Sequence, residues 1–197
     1  WVVFSKKRDI FEHARTPVVL PLPDPPMLIA RPAPDEYAPY YGQYISQVPG
    51  DDALPVLTAS RATTAALLAG IPTAKGGYRY APGKWTVREV VGHLSDAERI
   101  FCYRLLRIAR GDATPLASFD ENAYVPEGRF EERSLADVAA EFATVRDATL
   151  SLLRSLDPAR LERRGIASEK PVSARALAWI MAGHELHHVR VLGEKYL

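Results

Sequence analysis

Cysteine is almost missing from this chain of 197 residues, with Cys102 the single example. A lone thiol excludes an internal disulfide framework and a zinc site built from several thiolates, and it fits a reducing compartment. Long apolar runs are missing as well. None approaches the roughly 18 to 20 residues of a membrane span, and the N-terminus has no uninterrupted apolar core of the signal-peptide kind. We therefore read a cytoplasmic protein with no membrane partner. Charge of one sign never accumulates: 25 Lys and Arg face 24 Asp and Glu, for a net charge of +1. Without a basic block or interleaved arginines and aromatics there is no phosphate-binding surface, which argues against nucleic acid as a partner. Strand-period alternation and internal repeats are absent too.

What is present is enough apolar matter for one core, at 47% hydrophobic and 25% charged residues. The first 30 residues differ from the rest. They open on Trp1 rather than Met and run into Pro17, Pro21, Pro23, Pro25 and Pro26, a spacing that sustains neither a helix nor a central strand. We read residues 1–30 as an extended Pro-rich extension outside the fold, with Met27 as the natural start, and residues 31–197 as the domain. His13, within the extension, is given no role. Pro32, Pro34, Tyr37, Tyr40, Tyr41 and Tyr44 follow. Tyrosines pack a ring and keep a wet hydroxyl, so this segment is expected to lie over the core as a lid, the functional alternative being that a hydroxyl reaches the pocket.

Four amphipathic helices come next. The first is expected over about 52–69, capped by Asp51 or Asp52 and closed by Gly70 and Pro72. The second opens on Thr86-Val87-Arg88-Glu89, a reciprocal capping box, and runs to about Arg110. Its inward stripe contains Val90, His93, Leu94, Ala97, Phe101, Arg104 and Leu105. The third is expected over 134–156, begun by Ser134 and Asp137, and the fourth over 173–196 with His184 and His188 on its apolar stripe. More than twenty residues without sustained period separate the second helix from the third. A connection that long crosses the bundle or covers a site. The expected fold class is all-α, a four-helix bundle whose sites are built from inward side chains on facing helices.

His184 and His188 stand one turn apart, so their rings leave the same helix face. A third ligand is needed for a usable metal site, and His93 on the facing helix supplies it. Three unpartnered imidazoles in a core would cost a few kcal/mol each, and a shared divalent ion removes that cost. His187 is read as a rim residue. The literal His-Glu-x-x-His of the metalloproteases is present at 184–188, yet no suitable third ligand follows it before the chain ends, so a peptidase is rejected. Glu185 and Asp96, neighbours of the ligands in sequence, are expected to orient an imidazole or accept a proton. Arg104 is placed to bind an anionic group or to pair with Glu98 or Asp96. Trp85, Tyr44 and Tyr124 are expected to line the open position, and Cys102 reads as a small buried hydrophobe.

The run Tyr80-Ala81-Pro82-Gly83-Lys84-Trp85-Thr86 leads into Gly92-His93-Leu94 with Asp96, Glu98-Arg99 and Tyr103-Arg104, then Arg110-Gly111-Asp112. With Gly183-His184-Glu185, His187-His188 and the closing Tyr196-Leu197, this set resembles the DinB-like superfamily, and within it the metal-binding DinB/YfiT-type bundles. The resemblance covers about Arg31 to the C-terminus. It implies an up-down-down-up order, with the long crossover between helices two and three. It also implies a Zn²⁺ or Ni²⁺ ion on His93, His184 and His188, often in a homodimer. The expected function is a metal-dependent hydrolase or thiol-dependent S-transferase, with a low-molecular-weight thiol as further cofactor and a small electrophile as substrate. The alternative is a noncatalytic metal-binding or stress-associated bundle protein.

Overall fold

Helix boundaries in the computed structural model, which describes residues 28–197, fall where side chains satisfy the first free amides. After the one-turn α1 (Gly42–Ile45), α2 spans Ala53–Gly70 and is begun by Asp52, whose carboxylate accepts from Leu54 N at 3.0 Å. Helix α3 (Val87–Ala109) opens on the expected capping box: Glu89 N donates to Thr86 Oγ1 at 3.2 Å, and Thr86 N donates to Glu89 Oε2 at 2.6 Å. The long connection carries α4 (Glu121–Glu127). Helix α5 (Leu135–Arg154) starts at Ser134. The single turn α6 (Pro158–Leu161), strands β1 (Arg164–Ala167) and β2 (Lys170–Ser173), and α7 (Ala174–Val191) complete the order, before a wide turn over Leu192–Tyr196.

Both α2 and α3 pack against α5 and α7. Pairs across these seams set the directions. Arg61 of α2 meets Asp147 of α5, while Leu68 shares a groove with Leu135, so α2 and α5 are antiparallel. Arg99 and Cys102 of α3 meet Glu141 and Thr149 of α5 in the same order, so those two run parallel. His93 near the start of α3 meets His184 far along α7, which makes that pair antiparallel. The result is the up-down-down-up bundle. A parallel α3–α5 pair forces the connection to travel the whole length of α3, whose 23 residues span roughly 35 Å at 1.5 Å per residue.

That crossover is fastened near both ends. Leu116 exchanges backbone hydrogen bonds with Ile166 and Ser168 of the hairpin, each 2.9 Å. At the far end the Phe130 ring lies so close to Gly92 that a Cβ there would overlap it. The β1–β2 hairpin occupies the stretch between the third and fourth expected helices, where the sequence shows no strand-period alternation. It pairs Arg164 with Ser173 and Ala167 with Lys170, turning through Ser168 and Glu169 at φ 52° and 62°. Such left-handed two-residue turns are ordinarily signalled by Asn-Gly or Asp-Gly, which explains why Ser-Glu gave no sign of it.

The expectation for the Pro-rich extension lies outside the described residues apart from Leu28, Ile29 and Ala30. Ile29 is fully buried. Its amide donates to Asp52 at 3.0 Å and its carbonyl accepts from Trp179 Nε1 at 2.9 Å. Packed structure therefore begins ahead of residue 31.

The tyrosine segment does lie over the bundle, held by two devices. Glu36, 1% exposed, accepts from Ser173 Oγ and Arg175 Nε at 2.7 Å each and from Ala33 N at 2.9 Å. Burial raises its pKa, but these hydrogen bonds outweigh that and bring it down to about 2. At Gly183 the carbonyl of Tyr44 takes the place a Cβ would need, so the lid backbone rests directly on α7.

At mid-height the four long helices meet in one polar cluster. Arg146 of α5, 0% exposed, donates to both oxygens of Glu98 on α3 at 2.8 and 2.6 Å. It also reaches Glu185 on α7 at 2.7 Å and Ser60 on α2 at 2.6 Å. Ser60 and Thr64 donate to Glu185 at 2.6 and 2.7 Å.

Two outcomes are expected. Replacing Arg146 by Met strands two buried carboxylates and should cost about 3 to 5 kcal/mol, read as a lowered urea midpoint. For Glu36, the folded pKa lies below the ordinary 4.5, so its contribution is complete above that pH and is lost as pH falls towards about 2. Glu36→Gln should thus cost about 2 kcal/mol at pH 7, and the gap from the unsubstituted protein should close progressively in acid.

Candidate metal centre

The capping box fixes where α3 begins and therefore the direction in which His93, in its second turn, points. On α7 the i, i+4 spacing stacks His184 and His188 with ring centroids 4.6 Å apart. Antiparallel packing of α3 on α7 brings the third ring to 5.0 Å from each of them. The Nε2 atoms converge. His93 and His188 lie 3.1 and 3.2 Å from Nε2 of His184, and candidate ligand atoms of all three fall within 4.8 Å of one another. An ion bound at 2.0 to 2.1 Å with tetrahedral angles would separate its nitrogen ligands by about 3.3 Å. The residues present fit such an ion without rearrangement of the helices.

Their protonation state fits as well. Burial pulls the pKa of His93 down to about 4. Burial, helped by His93 and His187, pulls that of His188 down to about 3. Burial, and then His188, pulls that of His184 well below its ordinary value. All three are neutral at physiological pH, the state in which imidazole binds a metal.

Aromatic side chains wall the cluster. The Trp85 ring lies over His93 at 4.7 Å between centroids, and the edges of Tyr44 and Phe101 meet His184 at 5.3 and 5.9 Å. A cavity of about 160 Å³ opens beside the three histidines, bounded by Tyr40, Tyr41 and Tyr44 of the lid and by Phe119 and Glu121 of the crossover. A second cavity of about 300 Å³ lies on the other side of Trp85 and His188, and Lys84, Asn122 and His187 line it.

Of the residues singled out in the sequence, the structure brings His93, His184, His188, Trp85 and Tyr44 together. Glu185 goes elsewhere: both its oxygens are engaged by Ser60, Thr64 and Arg146, so it orients α7 rather than an imidazole. Asp96 is hydrogen-bonded to Arg99 at 3.4 Å and does not line the cavity. Arg104 pairs with neither Glu98 nor Asp96. Its guanidinium donates to Ala117 O at 2.6 Å and Ser168 Oγ at 3.0 Å, latching the crossover two residues before Phe119. Tyr124 is exposed and packs on Phe119. His187 sits half-buried at the rim as expected. Cys102 packs at the edge of the core, where burial pushes its thiol pKa up.

Beyond the lid tyrosines Tyr40 and Tyr41, which do line the cavity, two contributors were missed, Phe119 and Glu121. Both sit in a stretch without period. The one local signal there is Asp120, whose carboxylate accepts from Asn122 N at 2.9 Å and starts α4.

Comparison with known proteins bears on the fold. Similar solved structures include YfiT from Bacillus subtilis, described as "a probable metal-dependent hydrolase with an unusual four-helix bundle topology", at a TM-score of 0.62 and 18% identity over 83% of this chain and 89% of that one. A mycothiol-dependent maleylpyruvate isomerase superposes at a TM-score of 0.61 with 16% identity, covering 76% of this chain; the chain spans 62% of the isomerase's length. At these identities the likeness is one of fold. No curated protein matches the sequence. The model of the DinB superfamily matches residues 57–192, a span that holds all three histidines and the clamp at Arg146, and the chain belongs to that superfamily.

Proposed function

We propose that this chain is a metal-dependent enzyme, a hydrolase or a thiol-dependent S-transferase, acting on a small electrophile at a divalent ion held by His93, His184 and His188. The observation that carries the reading is the convergence of three neutral imidazoles on the wall of a 160 Å³ cavity. An ion serving only to staple the bundle has no use for space beside its ligands, so the cavity favours catalysis over a noncatalytic metal-binding role. Nitrogen-only ligation suits Zn²⁺ and Ni²⁺. The descriptions of YfiT as metal-dependent and of the isomerase as mycothiol-dependent support a metal and a small thiol as the chemical partners.

When bound, such an ion supplies a Lewis acid that leaves a reactant's S–H or O–H more acidic. The protein does the rest. Trp85, Tyr44 and Phe101 surround the imidazoles with low-dielectric matter, which strengthens their hold on a cation and excludes bulk water. The lid tyrosines and Phe119 shape a space for a few heavy atoms, so the reacting end of each partner is small. The second cavity, across Trp85 and His188, gives room for the remainder of a thiol with a polar tail, which Lys84 and Asn122 would meet.

Untagged protein purified without metal resin should carry about one equivalent of Zn²⁺ or Ni²⁺ by elemental analysis. His184→Ala should lose it, while His187→Ala, altering only the rim, should retain it. Metal-free unsubstituted protein, together with an unchanged unfolding midpoint in His93→Ala, would refute the metal centre. Activity is then sought by pairing small thiols with electrophiles and following thiol loss.

A further inference from the structure

We propose that Glu121 is the proton acceptor for the reactant in the histidine cavity, a catalytic residue carried by the crossover; this rests on the metal-dependent reading above. Three observations point to it. Among the described residues, Glu121 is the one carboxylate lining the cavity that the three histidines share, and no lysine or arginine lines it. Every other buried or half-buried acid among the described residues has at least one hydrogen bond or ion pair to the protein. Glu36 is held by Arg175 and Ser173, Glu98 and Glu185 by Arg146, Glu141 by Arg133, and Asp52 by two backbone amides. Glu121, half-buried, has no hydrogen bond or ion pair with any of the described side chains.

The third observation is that its backbone is fixed. Arg104 holds Ala117 from below at 2.6 Å, Phe119 packs on Tyr124 at 5.5 Å, and Asp120 caps the turn on which Glu121 sits. Its charge is felt by the phenols of Tyr41 and Tyr44 across the cavity. A carboxylate kept free of partners, on an anchored segment and facing three metal-type ligands, is arranged to meet something that arrives from solution.

The step balances without further reagents. The reactant is a thiol, R–SH. Its proton passes to a Glu121 carboxylate oxygen, and the sulfur lone pair of the resulting thiolate then attacks the electrophilic carbon of R′–X. The S–C bond forms, the C–X bond breaks, and X⁻ leaves with the proton returned by Glu121. Thiol plus R′–X thus gives thioether plus HX, and the carboxylate is regenerated.

The test uses full-length protein loaded with Co²⁺, with 2-mercaptoethanol and thiophenol as probes at pH 8. At that pH the alkyl thiol is mainly protonated and thiophenol mainly ionised. Thiolate capture is read by stopped flow as the sulfur-to-cobalt charge-transfer absorption in the near ultraviolet. Glu121→Gln should bind Co²⁺ with unchanged stoichiometry and visible spectrum. It should capture 2-mercaptoethanol about 100-fold more slowly, the low end for a lost general base, and thiophenol within about twofold of the unsubstituted rate. Glu121→Asp, which keeps the acid on a shorter arm, should recover part of the lost rate. Equal slowing of both thiols would mean that residue 121 only shapes the cavity, and would overturn the proposal. So would unchanged rates, or loss of cobalt from the Gln variant. Unsubstituted protein that takes up no cobalt would bring down the metal-dependent reading, and this one with it, whereas cobalt uptake with unchanged Gln rates would remove Glu121 alone.

Discussion

Arg146 carries a full positive charge at a point with no access to water, and the architecture of this bundle follows from how that charge is compensated. An uncompensated ion in such surroundings is costly enough to unfold a small domain. Here the guanidinium fork is filled by Glu98 on one side and by Glu185, Ser60 and the Leu57 carbonyl on the other. Because those groups belong to α2, α3 and α7, a rotation or axial slip of any long helix breaks a charge-assisted hydrogen bond. Apolar packing alone would tolerate such slips, since one methyl group substitutes readily for another. Glu185 follows His184 directly and Glu98 lies five residues after His93, so the same constraint fixes how the histidines on α3 and α7 face each other.

Above that clamp the proposed chemistry depends on keeping imidazoles neutral. Desolvation does this for all three, and segments that are not part of the four long helices help to wall the site. Trp85 precedes α3, Tyr44 belongs to the lid, and Phe119 and Glu121 ride on the crossover. Two glycines make this covering possible, Gly183 by letting the lid backbone touch α7 and Gly92 by letting Phe130 close against α3. Each lies immediately before a candidate ligand in sequence, His184 and His93. The up-down-down-up order is what brings the crossover to the site, because a chain that must return along the bundle passes the end where the histidines lie.

Much of this could be read from residue order. The helical period placed His93 and the His184–His188 pair on inward faces, and the capping box at Thr86 and Glu89 located the start of α3 as found. These are local properties, decided by geometry within one or two turns. Glu185 was misread because proximity in sequence to a ligand says nothing about direction: on a helix the next residue points about 100° away, here into the clamp. Arg146 escaped notice although it lies four residues after Phe142 and three before Thr149, both on the buried stripe. A charged residue on an apolar face reads as the edge of the stripe until its partners on other helices are known. Glu121 and the hairpin at Ser168-Glu169 lacked any strong local signal.

By itself, then, the sequence determined the helical class, the extents of the long helices, the facing histidines and the covering role of the tyrosines, because each rests on periodicity, capping or turn chemistry between near neighbours. Only the tertiary structure decided that Glu185 serves the clamp, that Arg104 latches the crossover, and that Glu121 is the one carboxylate among the described residues that lines the cavity. The physical reason is the same in each case. A buried or half-buried charged side chain takes its role from the partner that compensates it, or from the absence of one, and those partners lie at sequence separations of up to 139 residues, where local rules carry no information.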